Sequence, residues 1–309
     1  MTWHTKALAS PYTERLPQEP QNALTSRFTQ AERDALQRLR PMLPDIRRMA
    51  YNGETPKTIS LWGVSIDPLD PTADPRASVV LMKFLRARKL DAIAAKTLLV
   101  EVLRWRKKVN IDELMNKEFP KATILVPRQR FGKDKAGRSV MYTLFTSEHV
   151  KLARTELEAD SKMFIERKAR SLEELARSLN YETIDRVTRV IDMSKMSLDV
   201  LLDPKWTHNS MLTRVTHDYY PDFSAYKFAI NAPLRAVAAT WFSSLFATVK
   251  PDGRLHFIGK DTKTIGKKLS SVIDLDELPE QFGGKAIGFS WEVEDMTAPR
   301  DDVVAEAQE

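Results

Sequence analysis

Residues 226–249 read YKFAINAPLRAVAATWFSSLFATV, and this stretch decides how the rest of the 309-residue chain is interpreted. Tyr226 to Ile230 is apolar and aromatic apart from Lys227, and it predicts a β-strand. Ala232-Pro233 predicts a sharp turn, after which apolar side chains recur at spacings of three and four, the period of a helix. These side chains are Leu234, Val237, Ala238, Trp241, Phe242, Leu245 and Phe246.

The predicted helix is unusually poor in charge. From Phe228 to Val249 the chain carries a single charged residue, Arg235. The cleanly apolar part, Ala236 to Val249, has 14 residues and is too short to cross roughly 30 Å of hydrocarbon. We therefore predict a buried or interfacial helix. A helix with two apolar faces needs two apolar neighbours, such as a β-sheet on one side and lipid on the other.

Strands and helices alternate on both sides of this stretch. Strands are predicted at 139–145, 186–193, 226–230 and 254–259, and helices follow them at about 156–179, 211–219, 236–246 and 262–269. Repeated strand–helix alternation favours an α/β fold with a mainly parallel sheet covered by helices. Gly132 to Arg138, which superficially resembles a phosphate loop, precedes a strand and is interpreted as a hairpin turn with charged tips.

The chain before residue 120 has a helical pattern. Helices are predicted from Gln30 to Arg40, from Pro44, after the N-cap Asp74, and after Asp91. Between them, residues 52–74 form a predicted loop in which Leu61-Trp62-Gly63-Val64 is apolar enough to dock on the core. We thus predict a disordered tail at 1–28, a helical lobe at 29–120, an α/β lobe at 121–293 and a disordered acidic tail at 294–309.

Composition narrows the function classes. The chain is 42% hydrophobic and 29% charged, and its net charge of +6 is too small to indicate a nucleic-acid protein by itself. Cys is absent, which excludes disulfides, thiolate metal sites and Cys nucleophiles. The first residues contain no apolar segment of the kind found in secretory signals, so a cytoplasmic protein is expected.

No motif indicates catalysis. A G-x-S-x-G elbow, a Walker loop and a G-x-G-x-x-G turn after a strand are all missing from the sequence. The five His residues do not pair at H-x-x-x-H spacing, which makes a zinc site unexpected. We therefore predict no enzyme activity, no catalytic residues, no metal and no catalytic cofactor.

Four sequence blocks together resemble the CRAL-TRIO lipid-binding family, specifically fungal non-classical phosphatidylinositol transfer proteins. They are 81–90 (LMKFLRARKL) with Trp105-Arg106, 134–140 (DKAGRSV), 219–222 (YYPD) followed by 228–233 (FAINAP), and 278–285 (LPEQFGGK). The segment around Leu61-Trp62-Gly63-Val64 is similar to that fungal subgroup. The resemblance implies an N-terminal helical lobe followed by an α/β lobe whose sheet floors an apolar ligand pocket.

The resemblance also implies a function. The helix after Asn231-Ala232-Pro233 would be a gate that closes over one phosphatidylinositol molecule and dips into the membrane surface while lipid exchanges. By residue-to-residue match, Asp222 and Arg254 would contact the lipid headgroup. The implied protein is a monomeric lipid carrier that associates transiently with membranes such as the endoplasmic reticulum.

Two alternatives use the same cavity. The fungal subgroup includes haem binders, whose His-x-Tyr and Tyr iron ligands match Ile191, Met193 and Arg88 here, so haem would need rearranged ligands such as Tyr181 or His217. The second alternative is a domain that binds a soluble hydrophobic ligand and regulates a partner without transferring lipid.

Overall fold

The computed structural model describes residues 19–52, 56–119, 128–197, 199–200, 214–215, 217–232 and 255–291. Its N-terminal part is helical, as predicted, and three of the helices there begin at a side-chain cap. Thr29 and Glu32 form a capping box, and the side chains of Asp74 and Asp91 accept hydrogen bonds from backbone N–H groups of their helices. The helices are α1 Gln30–Leu39, α2 Leu43–Tyr51, α3 Pro75–Ala87, α4 Ala92–Val109 and α5 Ile111–Asn116.

The predicted loop before α3 contains a short hairpin, β1 Ile59–Leu61 and β2 Val64–Ile66. Trp62 and Gly63 form its two-residue turn, both with positive φ, as a type I′ turn requires. The Trp62 side chain is 1% exposed and stacks on Phe84 of α3, with 5.4 Å between ring centroids. The expected docking of this segment is confirmed, although it docks as a hairpin and not as an irregular loop.

The described α/β part contains a five-stranded sheet in the order in which the strands follow along the chain. The first two strands pair antiparallel through a turn at Asp134, which confirms the hairpin predicted there, and the other pairings are parallel. The predicted mainly parallel α/β fold is therefore confirmed. The strands are β3 Arg128–Lys133, β4 Ser139–Thr146, β5 Val187–Lys195, β6 Ser224–Ile230 and β7 Leu255–Phe257.

Three further helices are described here: α6 Ser147–Ala159, α7 Ser161–Arg177 and α8 Thr262–Leu269. The sequence predicts one long helix over 156–179, and this prediction is wrong. The chain breaks at Asp160, which has an extended φ of −147° and caps α7 by accepting a hydrogen bond from the Met163 N–H. Charged residues continue through Asp160, so the sequence pattern does not show that one helix ends and another begins there.

The two faces of the sheet are covered differently. Successive side chains of a strand point to opposite sides, so paired residues define each face. We call the side carrying Met141, Thr143, Arg189, Ile191, Lys227 and Ala229 the front face, and the side carrying Tyr142, Val190 and Phe228 the back face. Helix α8 closes the back face, because Ile265 and Leu269 pack in one apolar cluster with Tyr142, Val190 and Phe228. Helices α6 and α7 lie over the front face.

The helical lobe and the α/β lobe share one apolar core. Ile165 and Leu172 of α7 belong to the same buried cluster as Leu85 of α3 and Leu99 of α4. The predicted tail at 1–28 extends too far, because a 3₁₀ turn at Thr25–Arg27 packs on this core and the Phe28 side chain is buried. Apart from the gaps given above, the structure describes residues 29–119 and 128–291, which make up most of the two predicted lobes.

The predicted gate helix, with Leu234, Val237, Ala238, Trp241, Phe242, Leu245 and Phe246, lies outside the described residues, and so do Arg254 and the tails 1–18 and 292–309. Among the helices that are described, none is both long and apolar enough to traverse a bilayer.

Candidate ligand-binding site

The front face carries an apolar cluster at the end of the sheet where the parallel strands finish. Ile191 and Met193 of β5 and Ala229 of β6 pack there against Val150 and Ala153 of α6. Met196 and Val200 complete the buried members, and Phe145, Phe164, Ala232 and Leu255 border them. We call these residues the front-face cluster. Ligands of open α/β sheets characteristically bind at this end of the strands.

The front-face cluster adjoins the point where the chain leaves β6 toward the predicted gate. Asn231 adopts a left-handed conformation with φ 56°, and its side-chain amide donates a 2.8 Å hydrogen bond to Asp192 Oδ1 on β5. Asn tolerates this conformation better than most residues do. The bond fixes the direction of the chain at Ala232, whose side chain borders the cluster.

Asp222, a predicted headgroup residue, lies at the opposite end of β6, just before the strand begins. Its Oδ2 is 3.6 Å from Nη1 of Arg86 and 3.8 Å from Nη1 of Arg186. Its backbone carbonyl accepts a 3.1 Å hydrogen bond from Lys83 Nζ. The carboxylate is therefore part of a partly buried ionic cluster between α3 of the helical lobe and the starts of β5 and β6.

The ionic cluster has a second carboxylate, Asp185. Lys83, fully buried, lies 3.2 Å from Asp185 Oδ2 and also donates to the Asp185 backbone carbonyl at 2.5 Å. Burial alone would raise the pKa of Asp185, but the charges of Lys83, Arg186 and Arg86 outweigh burial and lower the pKa to about 2. The cluster thus holds the two lobes together with ionised groups.

The positions matched to haem ligands do not come together. Ile191 and Met193 lie in the front-face cluster, whereas Arg88 ends α3 and pairs with Asp218 at 3.1 Å. Tyr181 is 1% exposed, and its hydroxyl donates a 2.6 Å hydrogen bond to the Ala176 carbonyl. Burial raises the pKa of that hydroxyl. These donors do not fit the His and Tyr ligand set that the resemblance implies.

The structure also shows a group of cations that sequence reasoning missed. Arg189 projects from β5 on the front face, with Lys168 of α7 and Arg128 of β3 close enough for their charges to interact. A signal was present at Arg189, because a charged residue is unusual in the middle of a central parallel strand. Lys168 could not be recognised, because it stands among many charged residues of α7.

In the part of the chain that the structure describes, no group of three or more His, Asp or Glu side chains is arranged to hold a metal ion. The site is therefore a sheet face that is apolar at one end, cationic in the middle and bordered at the strand starts by the ionic cluster. An apolar region beside cationic groups has the chemical character of a site for a molecule with an apolar part and an anionic part.

Comparison with known proteins agrees with this architecture. Residues 130–284 match the family model described as the CRAL/TRIO domain, and the chain belongs to that family. A solved structure titled "Crystal structure of Sfh5" superposes with a TM-score of 0.62 at 18% identity, over 91% of this chain and 97% of the other.

Curated relatives include Patellin-4 of Arabidopsis thaliana, which is 27% identical over 235 residues, 74% of this chain and 41% of the relative. The Arabidopsis thaliana protein named phosphatidylinositol/phosphatidylcholine transfer protein SFH12 is 27% identical over 220 residues, 66% of this chain and 39% of the relative. The chain spans about half or less of the length of these relatives.

Proposed function

We propose that this protein binds and transfers phosphatidylinositol, carrying one phospholipid on the front face without catalysis. The observation that carries the proposal is the front-face cluster, which provides a buried apolar surface beside Ala232. The gate segment, whose one charged residue is Arg235, follows Ala232 in the sequence. The transfer function in the name of SFH12 supports it.

The physical reason for such a carrier is the cost of exposing acyl chains to water, about 0.8 kcal/mol for each methylene group. The closed gate segment would cover the acyl chains. On opening, its apolar side chains would enter the membrane interface while lipid is exchanged. A net charge of +6 on the chain is compatible with brief contact with an anionic surface.

The headgroup contacts of this proposal are Asp222 and Arg254. Asp222 lies beside Arg86 and Arg186, so an inositol hydroxyl there would meet both hydrogen-bond acceptors and cations. We further propose that the protein belongs to the fungal non-classical subgroup, acts as a monomer in the cytoplasm, and visits membranes such as the endoplasmic reticulum. The haem alternative is not favoured, because the available donors do not fit, and no specific observation favours the soluble-ligand sensor.

Gate variants test the proposal. In an assay of phosphatidylinositol transfer between vesicles, Trp241→Asp and Phe242→Asp should each lower the initial rate at least about tenfold, because a carboxylate resists insertion into lipid. Leu69→Asp is the matched control, since Leu69 is 78% exposed on the helical lobe, and it should transfer at the unaltered rate. Unchanged transfer by both gate variants would reject the assignment of the gate, and no transfer by the unaltered protein would reject the function.

A further inference from the structure

Helix α8 carries a row of exposed lysines on its outer side, while its inner side packs into the apolar cluster of the back face. Lys263 and Lys267 are one helical turn apart and therefore lie on the same side of the helix. Lys268 follows them, and Lys260 comes just before the helix. We call these four residues the lysine row.

The acids near the lysine row are engaged elsewhere. The Asp261 side chain caps the start of α8 by accepting a 2.9 Å hydrogen bond from the Thr264 N–H. Asp274, beyond the end of the helix, lies 3.9 Å from Lys135 Nζ. Within the ranges that the structure describes, no carboxylate forms an ion pair with any lysine of the row. The row is thus a patch of like charge, and its positive potential attracts an anionic partner.

The C-terminal end of the described chain lies against the same helix. Gly283 approaches α8 so closely that a Cβ placed on it would lie 2.8 Å from the Gly266 Cα, and Lys267 is the residue after Gly266. Phe282, the neighbour of Gly283, belongs to the back-face cluster and contacts the ring of Trp291, with 6.2 Å between ring centroids. Trp291 therefore stands close to the lysine row.

The sequence after Trp291 is strongly acidic. Residues 292–309, which we call the acidic segment, contain seven acidic residues and one basic residue. Three of the acids, Glu292, Glu294 and Asp295, come within four residues of Trp291. Four extended residues span about 13 Å, which exceeds the width of about 10–12 Å of a helix with its side chains. This length allows the three carboxylates to pass from the back-face cluster to the outer side of α8.

We propose that the acidic segment docks on the lysine row of its own chain and covers this positive patch. Opposite charge and the short connection from Trp291 carry the proposal. Exposed ion pairs are individually weak, but tethering raises the local concentration of the carboxylates to the millimolar range. The docked segment competes with any anionic surface that approaches the back face, so it restricts contact of this side of the protein with anionic membranes.

A spin label in the acidic segment of the full chain tests the docking. Because the chain has no Cys, Thr297→Cys provides a single position for a nitroxide label. In about 0.01 M salt, the label should broaden the NMR amide signals of α8 at least about twice as much as those of α1, because a Debye length of about 30 Å leaves the attraction unscreened. In about 1 M salt, where the Debye length is about 3 Å, the broadening of α8 should fall at least about twofold.

Neutral variants of the lysine row separate docking from mere proximity. The triple variant Lys263→Gln, Lys267→Gln and Lys268→Gln should show, in low salt, no more broadening of α8 than the unaltered row shows in about 1 M salt. The matched control removes the same charge from three exposed lysines of the helical lobe and should broaden as the unaltered row does. Its substitutions are Lys57→Gln, Lys89→Gln and Lys108→Gln.

Binding to anionic vesicles tests whether the acidic segment covers the patch. The probe is a vesicle of phosphatidylcholine containing phosphatidylserine. Neutralising Glu292, Glu294 and Asp295 to Gln, Gln and Asn should tighten binding at least about fivefold, because each freed lysine contributes about 1 kcal/mol near such a surface. Adding the triple lysine variant should remove this gain. The control makes the same change of net charge at exposed acids elsewhere and should stay within about twofold of the unaltered protein. Its substitutions are Glu113→Gln, Glu118→Gln and Glu182→Gln.

Three results would overturn the proposal. Broadening of α8 that is insensitive to salt and to the lysine row would mean that the acidic segment is merely nearby. Broadening of α8 in an isotope-labelled copy by a separate spin-labelled copy would place the segment on a second molecule. Equal vesicle binding by the unaltered protein and the neutralised segment would mean that the patch is not covered. Lipid transfer is tested separately by the gate variants, so the two proposals fail independently.

Discussion

Arg106→Met should remove most of the stability of the junction between the two lobes. Arg106 of α4 holds Glu173 of α7 through two hydrogen bonds of 2.6 and 2.8 Å, and the Glu173 side chain is fully buried. Glu173 also accepts from Arg177 at 2.9 Å and from the Tyr220 hydroxyl at 2.9 Å. Breaking a buried ion pair from one side costs about 3–5 kcal/mol. Because two of the four hydrogen bonds to Glu173 remain, those from Arg177 and Tyr220, we expect a loss of about 3 kcal/mol in the free energy of unfolding.

Urea denaturation followed by circular dichroism measures this loss as a lower midpoint at unchanged slope. Lys108→Met is the matched control, since Lys108 is exposed two residues further along α4, and it should change stability by less than about 0.5 kcal/mol. Glu173→Gln alone and combined with Arg106→Met completes a double-mutant cycle, in which the two losses should not add. Additive losses, or a loss below about 1 kcal/mol for Arg106→Met, would refute the buried network.

Two further predictions concern stability. Because Lys83 and its cationic neighbours lower the pKa of Asp185 to about 2, the ionised carboxylate contributes about 2 kcal/mol of stability above pH 4. Acid titration of the unfolding free energy should show this contribution fading as the pH falls from about 4 to 2, and Asp185→Asn should remove that part of the pH dependence. Gly284→Ala should cost more than about 3 kcal/mol, because its Cβ would lie 1.8 Å from the Leu278 carbonyl oxygen, whereas Gly259→Ala, with open space around it, should be nearly neutral by thermal denaturation.

Where local chemistry decides an element, the sequence predicted it well. Helix α8 has the predicted bounds, Thr262–Leu269, because the Asp261 side chain caps its start and Ile265 and Leu269 repeat at helical spacing. Strand β6 is longer by two residues than predicted, since Ser224 also pairs with β5 and Ala225 lies at a shift in the register between Ser224 and Tyr226. Strand β3 was missed, because none of its residues is fully buried and its pattern therefore carries no apolar alternation.

The site was harder to predict, because its contacts join distant parts of the chain. Lys83 and Asp185 are 102 residues apart, and their ion pair depends on how the helical lobe docks on the sheet. Arg128 reaches Ser171 only because α7 crosses the front face at that point. Local periodicity contains no information about such crossings. The apolar gate segment, by contrast, was visible in sequence because Arg235 is its one charged residue.

The central claim, that this chain carries phosphatidylinositol, is tested most directly by identifying what it holds. The protein is purified from cells, its bound ligand is extracted with organic solvent, and the extract is analysed by mass spectrometry. We predict about one phospholipid per chain, with phosphatidylinositol enriched over its share of the cell's lipids. Recovery of haem, of a phosphate-free isoprenoid, or of no phospholipid at all would contradict the claim.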